Sequence, residues 1–550
     1  MKTVYLAITF ISLCLTAFTQ TPTIKWQLAY GASNLTEKAE AIATDNSNNV
    51  FVAGSKYDPA TQTYSLQVNK FNTSGTSLAT LNISFSGRVT KLLIDNTGNV
   101  YLVASGTQAY LAKINNSLTA ITWSRTVSLV NGMDNATAVI DSNSTVYLMA
   151  TGGSYFGPKN FTVKSYNSAG TNVATYGTYG FFDWRKANAI ALSGQFIYVC
   201  GQNVDSINSR GLITKLNKSN LTAVWDNISG ISYSNTFFDN EWFAITVNPA
   251  GTNIYVAGST WVSVTNTYKT VVKRFNDAGL VQSTYFHGNS TTYSSFGKFI
   301  SLNQSGKVFV GINKYPMNTA TNKYNTEVVW LQSTLLYGNG WLGSSTSENL
   351  SIADMQVTPI GNVNLAITCD SLNFTYSKWY FQRIHFYNNG AFAPYEIDKR
   401  NIRKGSNFYS KSALAVALYK NNNGMLTERD CAIAGYAQDG TNKNYFTVTY
   451  NSMLLREANE FTSAVSQPTN EFMLYPNPAE NEINIQFETS EDVCSLEIIN
   501  MEGQIVEQHT VTGDGIEIRN QFNISNLPKG FYMLRVSGKT DTQVKRFIKR

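Results

Sequence analysis

Histidine and cysteine are both scarce in this chain of 550 residues, which contains three histidines and five cysteines. Histidine-based zinc sites and Ser-His-Asp triads therefore lack parts. The cysteines beyond residue 20 are isolated in the sequence and form no C-x-x-C pair: Cys200, Cys369, Cys431 and Cys494. We expect buried thiols, with a Cys369–Cys431 bridge as the alternative, and we expect no metal and no cofactor.

Charge is also sparse, because charged residues make up only 14% of the chain and the net charge is +6. Lysine and arginine are scattered without a basic stripe, so nucleic acid is not an expected partner. Phosphate-binding loops, nucleophile elbows and His-Glu-x-x-His runs are missing. A carboxylate pair for glycoside cleavage would leave no linear signature, and such an activity stays open.

Long apolar runs are missing apart from one at the start. Lys2 supplies a positive end, residues 4–18 are apolar, and Ala17-Phe18-Thr19 suits cleavage. This apolar stretch is too short to span a bilayer. We therefore predict a signal peptide over residues 1–19 and no transmembrane segment.

Aromatic residues are abundant at 13% of the chain, and they recur in a repeat. A small apolar strand, a polar Asp/Asn/Gly turn and an aromatic-rich strand occur in this order eight times, as in Ala41-Ile-Ala-Thr-Asp45 followed by Val50-Phe-Val-Ala-Gly54. The aromatic anchors lie 46 to 57 residues apart: Phe51, Tyr101, Tyr147, Tyr198, Tyr255 and Phe309. This period suits a four-stranded blade.

A second, alternating strand follows each copy and commonly places a lysine near an asparagine. Lys70, Lys113, Lys164 and Lys215 occupy this position. We expect their stems to run along apolar strand surface with the amine in water; a basic ring is the alternative. The runs after Asp45, Asp95 and Asp141 resemble calcium loops but suit hairpin turns without a metal.

These units resemble the bacterial β-propeller repeat families over about residues 24–457. The resemblance implies an all-β chain with a β-propeller over residues 20–462, of eight blades, with seven as the alternative. Residues 24–28, Ile-Lys-Trp-Gln-Leu, match the outer strand of later repeats such as Ile121-Thr-Trp123. The N-terminal segment is therefore predicted to complete the last blade and close the ring.

The repeat ends before a polar linker at residues 463–470, and residues 471–550 show a new pattern of short alternating strands typical of a small β-sandwich. Its motifs are Tyr-Pro-Asn-Pro, Asn-x-x-Gly, Leu-Pro-x-Gly-x-Tyr and a basic end. The residues that carry them are Tyr475, Pro476, Asn477, Pro478, Gly503, Leu527, Pro528, Gly530, Tyr532, Lys549 and Arg550.

This tail resembles the C-terminal sorting domain of the type IX secretion system. The resemblance implies passage through the periplasm, export by an outer-membrane translocon, removal of the tail by its processing machinery, and a Bacteroidetes source. The protein would then be secreted or attached to the outer-membrane surface.

Two consecutive repeats share Phe-Phe-Asp in the segment that enters the innermost strand, where a propeller opens its channel. We predict Asp183, Trp184, Asp239 and Trp242 as contacts for a glycan or protein ligand. The alternative for these aromatics is packing between blades. Two other functions stay open: a carbohydrate-active enzyme that pairs Asp183 with Asp239 or Glu241, and a structural component of the cell surface or matrix.

Overall fold

Antiparallel strands, without a helix, form the part of the chain described in the computed structural model. The described residues are 23–31, 35–129, 133–153, 159–178, 184–204, 209–229, 240–288, 291–317, 323–345, 348–371, 377–386, 392–400, 403–404, 407–408, 410–420, 426–439, 442–451, 473–475, 477–488, 493–500, 504–512, 517–537 and 542–550. Two compact units share the chain, residues 1–454 and 455–550.

Unit 1 begins with strand β1 (Thr23–Tyr30) and continues with blades of four strands each. Blade 1 contains β2 (Thr36–Thr44), β3 (Val50–Asp58), β4 (Thr63–Phe71) and β5 (Ser77–Ile83). Blade 2 contains β6 (Gly87–Ile94), β7 (Val100–Gly106), β8 (Ala109–Ile114) and β9 (Ile121–Val127). Blade 3 contains β10 (Met133–Ile140), β11 (Val146–Gly153), β12 (Lys159–Tyr166) and β13 (Asn172–Gly177). Blade 4 contains β14 (Trp184–Ser193), β15 (Phe196–Val204), β16 (Ser209–Asn217) and β17 (Ala223–Ser229).

The remaining blades repeat this order. Blade 5 contains β18 (Asn240–Val247), β19 (Asn253–Val262), β20 (Thr267–Asn276) and β21 (Val281–His287). Blade 6 contains β22 (Tyr293–Leu302), β23 (Val308–Pro316), β24 (Asn325–Leu331) and β25 (Tyr337–Gly343). Blade 7 contains β26 (Glu348–Val357), β27 (Val363–Ser371), β28 (Ser377–Phe386) and β29 (Phe392–Arg400), followed by a short hairpin of β30 (Arg403–Lys404) and β31 (Asn407–Phe408). Blade 8 contains β32 (Ser410–Lys420), β33 (Leu426–Asp439) and β34 (Asn442–Asn451).

Strand β1 supplies the fourth strand of blade 8. It pairs antiparallel with β34 from Thr23 opposite Asn451 to Tyr30 opposite Tyr445. Blade 8 in turn packs against β2 of blade 1, which closes the ring. Within the described residues, the sheets therefore number eight blades, and the predicted closure by the N-terminal segment is confirmed.

An outer-strand tryptophan marks the closing seam and two ordinary seams alike. Trp26 of β1 lies against Gly75 of blade 1, Trp123 against Gly170, and Trp225 against Gly279. Each glycine has a positive φ, of 85°, 79° and 78° respectively, and a Cβ there would come within 2.6–3.0 Å of the indole. Glycine is thus required by both the turn and the tight contact.

Three of the repeated lysines bind the turn of the following blade. The Lys113 amine donates to the Ser168 carbonyl at 3.1 Å and lies over the Tyr101 ring. Lys70 reaches Asn116 and Lys215 reaches Asp277 in the same way, over Phe51 and over Phe196 and Tyr198. The stems lie over aromatic rings, but the amines do not lie in water as expected: they bridge to the next blade, and Lys215 is buried.

The aspartates before the second strand of blades 1 to 3 form hairpin turns. One carboxylate oxygen of Asp95 accepts hydrogen bonds from the backbone N–H groups of Thr97 at 3.0 Å and Asn99 at 2.9 Å. Asp45 and Asp141 accept from the residues two and four positions further on in the same way. The carboxylates are therefore engaged with their own turns, as the turn interpretation predicts.

The core lies between the faces of adjacent blades. The aromatic anchors of the second strands are 0–3% exposed where they pack against the next blade: Phe51, Tyr101, Tyr147, Tyr198, Tyr255 and Phe309. Cys200, Cys369 and Cys431 are buried thiols, so the alternative Cys369–Cys431 bridge is not formed. Cys494 has no described side chain.

Unit 2 is a two-sheet sandwich. One sheet contains β35 (Met473–Tyr475), β36 (Glu482–Glu488) and β39 (Glu517–Asn523). The other contains β37 (Val493–Ile499), β38 (Ile505–Thr512), β40 (Gly530–Ser537) and β41 (Thr542–Lys549). A core that includes Ile483, Leu496, Phe522 and Leu534 lies between the two sheets.

Replacing Trp26 tests the closure of the ring. Trp26→Ala should lower the free energy of unfolding by about 3–5 kcal/mol, because it leaves a void against Gly75 and Phe71 at the seam that β1 holds. The measurement is urea denaturation of the full chain. The adjacent exposed residue provides the control, since Gln27→Ala should change stability by less than about 0.5 kcal/mol. Equal stability of the two variants would show that β1 does not hold the ring.

Candidate functional site

The structure places two of the four predicted ligand contacts. Trp184 is the first residue of β14 and is half-buried. Trp242 is fully buried, at 0% exposure, in the core between blades 4 and 5. The prediction that the Trp242 ring contacts a ligand is therefore wrong, and the packing alternative holds for this residue. Asp183 and Asp239 lie outside the described residues.

A β-bulge is the physical reason for this correction. The register between β18 and β19 shifts between Trp242 and Ala244, so Phe243 is the extra residue. A bulge redirects side chains that strict alternation would place otherwise. Seven innermost strands carry a bulge at the equivalent position, and the extra residues are Glu40, Thr90, Asn188, Phe243, Lys298, Ala353 and Leu414.

Aromatic rings and one lysine form a continuous group at the end of blades 5 and 6 where the innermost strands begin. We call this group the mouth cluster: Phe243, Trp261, Tyr268, Phe296, Lys298 and Tyr315. Phe296 is its centre, with ring centroids 5.2 Å from Tyr268, 5.6 Å from Tyr315 and 6.2 Å from Phe243. Trp261 extends it, 5.0 Å from Tyr268. All six side chains are only partly buried.

Lys298 gives the mouth cluster a cationic centre. Its amine lies 3.2 Å from the centroid of the Phe243 ring and 5.5 Å from that of Phe296. Burial lowers the pKa of Lys298 to about 8, while Glu241 opposes this effect. The Glu241 carboxylate accepts hydrogen bonds from Lys186 and Asn188, both at 2.8 Å. Aromatic faces, a cation and amide groups therefore meet on neighbouring innermost strands.

A cavity of about 320 Å³ lies at the seam that β1 closes. We call it the closure cavity, and the residues that line it are Leu28, Tyr30, Gly31, Glu37, Lys56, Gln67, Asn69, Phe71, Ser77 and Thr80. Its volume falls in the range of small-molecule sites. Phe71 and Tyr30 form an aromatic side, with their ring centroids 5.0 Å apart. The other lining side chains from blade 1 are polar.

Those polar side chains are held by a hydrogen-bond ladder across β4 and β5. The Gln67 amide donates to Asn82 at 3.0 Å, Asn69 donates to Gln67 at 3.5 Å, and Thr80 donates to Asn69 at 2.9 Å. Lys56 lies 3.3 Å from the fully buried carboxylate of Glu37. The polar wall is thus ordered, and its one acid and one base lie side by side.

The seam between blades 5 and 6 carries a different set of side chains at the same strand positions. In the register of the blades, Tyr30 corresponds to His287, Gln67 to Glu327, and Ser77 to Tyr337. His287 Nε2 is 2.8 Å from Glu327, and the Tyr285 hydroxyl is 2.8 Å from His287 Nδ1. Tyr285 also stacks on Tyr337, with ring planes 13° apart.

Glu327 is the centre of this network, and its environment sets its protonation. Burial raises the pKa of Glu327, but the hydrogen bond from His287 and the charges of His287 and Lys314 outweigh it and hold the pKa below its usual value. Lys314 lies 3.3 Å from the same carboxylate. This arrangement was not predictable from the sequence, because its members come from four strands and histidine is scarce.

Replacing Glu327 should make the free energy of unfolding less sensitive to pH in the acid range. A carboxylate whose folded-state pKa is depressed stabilises the fold above its ordinary pKa of about 4.3, and this contribution is lost as the pH falls through the folded-state pKa. Glu327→Gln should therefore lower the free energy of unfolding by about 2–4 kcal/mol at pH 7, and the difference from the native chain should shrink below about pH 4. Urea denaturation at pH 3 to 8 measures both effects.

The control for this experiment is the surface ion pair of Asp134 and Lys159, whose atoms are 2.7 Å apart. Asp134→Asn should cost less than about 1 kcal/mol at pH 7. A Glu327→Gln variant that behaves like Asp134→Asn would show that the buried network contributes nothing to stability.

The first predicted sorting motif, near the start of unit 2, forms hydrogen bonds with its last strand, β41. Asn477 donates to the Arg546 carbonyl at 3.1 Å and accepts from the Ile548 N–H at 3.0 Å. Beyond Pro478, Ala479 bonds with the backbone of Ile548 at 2.8 Å and of Arg550 at 2.9 Å. The Tyr-Pro-Asn-Pro segment thus holds the C-terminal strand β41.

The other sorting motif forms a corner before β40. The Tyr532 hydroxyl donates to the Pro528 carbonyl at 2.8 Å, and its ring stacks on Phe547 of β41. Leu527 packs partly buried against the sandwich core, and Gly530 begins β40. Lys549 is buried. Tyr475 lies in β35, whereas Pro476 and Gly503 lie outside the described residues.

The described residues contain no group of three or more His, Cys, Asp or Glu side chains placed to hold a metal ion. They also contain no helix with the length and apolar character needed to cross a membrane.

Solved propellers are similar to unit 1 in architecture. The Dos1 propeller matches with a TM-score of 0.45 and 9% identity, over 79% of this chain and 96% of its own. Sqt1 from Chaetomium thermophilum matches with a TM-score of 0.44 and 11% identity, over 78% of this chain and 100% of its own. Among curated proteins, none matches this sequence.

The tail has a clear family match. Residues 473–550 match the secretion system C-terminal sorting domain, and they include all eleven predicted sorting residues. The match covers nearly the whole of the sandwich from β35 to the last residue. Residues 473–550 therefore belong to the C-terminal sorting domains of type IX secretion, and the chain that carries them is a cargo exported to the cell surface or secreted.

Proposed function

We propose that the exported propeller is a non-catalytic binding protein that takes a glycan at the mouth cluster. The supporting observation is the run of partly exposed rings from Trp261 to Tyr315 through Phe296. Sugar rings present apolar C–H faces edged by hydroxyl groups, so they stack on aromatic faces while neighbouring polar groups bind the hydroxyls. Glu241, Asn188 and Lys298 supply such groups nearby.

The predicted contacts Asp183, Trp184 and Asp239 fit the same proposal. Trp184 is the first residue of β14, at the end of blade 4 that corresponds to the mouth cluster, and Asp183 and Asp239 directly precede β14 and β18 in the sequence. Trp184 would widen the aromatic surface toward blade 4.

Binding without cleavage is favoured by the state of the described acid at this mouth. Glycoside hydrolysis needs two carboxylates roughly 5–10 Å apart, one of them able to hold a proton. Glu241 is instead paired with Lys186 at 2.8 Å and accepts a further bond from Asn188. This arrangement suits a fixed acceptor for a sugar hydroxyl better than a general acid.

Removing two rings of the mouth cluster should abolish glycan binding. Phe243→Ala combined with Phe296→Ala should weaken affinity for the bound polysaccharide at least a hundredfold, since each buried aromatic contact contributes about 2 kcal/mol. The measurement is a polysaccharide binding panel with the full chain, followed by mass spectrometry of the bound sugar. Leu280→Ala is the control, because Leu280 is 62% exposed in the turn at the opposite end of blade 5.

The outcomes of this panel separate the candidate functions. Intact sugar bound by the native chain and by the Leu280 variant alone supports the proposal. Shortened sugar products would establish an enzyme instead. Retained affinity in the double variant would show that the glycan binds outside the mouth cluster. Absence of any binding would favour a protein ligand or a structural role.

Loosening the hold on β41 should impair export. Asn477→Ala removes both side-chain bonds to β41 and should cause the protein to accumulate in the periplasm, as deletion of residues 469–550 should do completely. Cell fractionation measures the exported share. Asn481→Ala is the control, because Asn481 bonds to Ile524 through its backbone carbonyl, which the substitution keeps. Unchanged export of the deletion variant would contradict the role of the tail.

A further inference from the structure

The closure cavity is a second concave space, remote in sequence from the mouth cluster, and its walls come from β1, which is the outer strand of blade 8, and from blade 1. Strand β1 supplies Leu28 and Tyr30, while β2 to β5 supply the polar residues. We propose that this cavity binds an uncharged, polyhydroxylated molecule of monosaccharide size. The inference does not rest on the proposed function, because it uses different residues.

The size and shape of the cavity support a ligand of this size. About 320 Å³ is enough for a six-membered sugar ring with its hydroxyl groups, and it lies at the lower end of small-molecule sites. Ser77 and Thr80 of the outer strand are exposed, whereas Glu37, Gln67 and Asn69 are buried. The cavity therefore has an open rim and a polar floor.

The chemistry of the walls selects an uncharged ligand. Glu37 is the one acid and Lys56 the one base among the ten lining residues, and at 3.3 Å their charges offset each other. The amides of Gln67 and Asn69 each have donors and acceptors beyond the bonds of the ladder. Phe71 and Tyr30 offer ring faces for the apolar side of a sugar. A charged ligand would leave its charge without a partner in this setting.

Comparison with the seam between blades 5 and 6 shows how larger side chains occupy the equivalent positions. There, tyrosine stands where blade 1 has Ser77, and Tyr285 stands where β1 has Leu28. The two tyrosines stack and occupy that seam. Both seams keep a lysine at the equivalent position, Lys56 and Lys314. Tyr285 and Tyr337 thus occupy this space in the seam between blades 5 and 6, whereas the corresponding space in the closing seam is open to a ligand.

The position-by-position match provides a variant that fills the cavity with a residue the fold already tolerates. Ser77→Tyr places a tyrosine where blade 6 has Tyr337. Gln67→Leu is a second variant, which removes the amide but keeps its bulk and copies Leu212 at the same position of blade 4. The matched control is Leu78→Tyr, which adds a ring at the neighbouring residue of β5 that is already 51% exposed.

The experiment is calorimetric titration and thermal denaturation of the full chain with glucose, galactose, mannose and N-acetylglucosamine, with glucuronate as the charged probe. At least one neutral sugar should bind and raise the midpoint of unfolding, because a ligand that binds only the folded state stabilises it. Ser77→Tyr and Gln67→Leu should weaken the affinity for that sugar at least tenfold. Leu78→Tyr and the Phe243/Phe296 double variant should bind it like the native chain.

Three results would overturn the proposal. They are absence of binding by every neutral sugar, preference for glucuronate over the neutral sugars, and unchanged affinity in folded Ser77→Tyr and Gln67→Leu. Loss of binding in the Phe243/Phe296 variant alone would assign the sugar to the mouth cluster and would refute the closure cavity while leaving the proposed function intact.

Discussion

The antiparallel pairing of β1 with β34 is the interaction on which the propeller depends. Without β1, blade 8 would have three strands and would expose the edge of β34, and a bare edge invites pairing with other chains. The same strand carries Trp26 into the seam with blade 1, in the role that Trp123 and Trp225 have elsewhere. Strand β1 therefore completes a sheet and a seam at once.

Bridges between blades reinforce this closure around the ring. Lysines on the third strands lie over the aromatic anchors and reach the turn of the next blade, as Lys113 does at Ser168. These lysine bridges join blade 1 to blade 2, blade 2 to blade 3 and blade 4 to blade 5. Ring closure converts a row of small sheets, each with two faces to cover, into a structure without exposed ends.

The repeat made most of the fold predictable from sequence. The period of the aromatic anchors, the turn aspartates and the match of Trp26 to later tryptophans are local patterns, and they sufficed for the blades, their order and the closure. Side-chain direction on the innermost strands was not predictable, since a bulge such as the one between Trp242 and Ala244 leaves no mark in composition. The sequence pointed to Trp242 because it follows Phe-Phe-Asp at the blade entry, whereas the structure buries Trp242 and leaves its neighbour Phe243 partly exposed.

The sites were harder to predict because they combine distant strands. The mouth cluster joins blades 5 and 6, and the closure cavity depends on a small residue, Ser77, at a position where another blade has a tyrosine. Aligning the blades strand by strand shows that this position varies, with Ile121, Ala223 and Val281 in other blades. Only the closed ring shows that aromatic rings from β1 and β4 line the same cavity as Ser77.

The composition of blade 8 makes it the last blade that a growing chain can complete. Partners across this blade, such as Lys25 and Asp430, are separated by 405 positions in the chain. Blades 1 to 7 have all their strands by residue 400, but β1 can pair only after β34 has been supplied. Ring closure therefore requires nearly the whole propeller sequence, and a chain cut short before β34 would leave β1 without its partner strand.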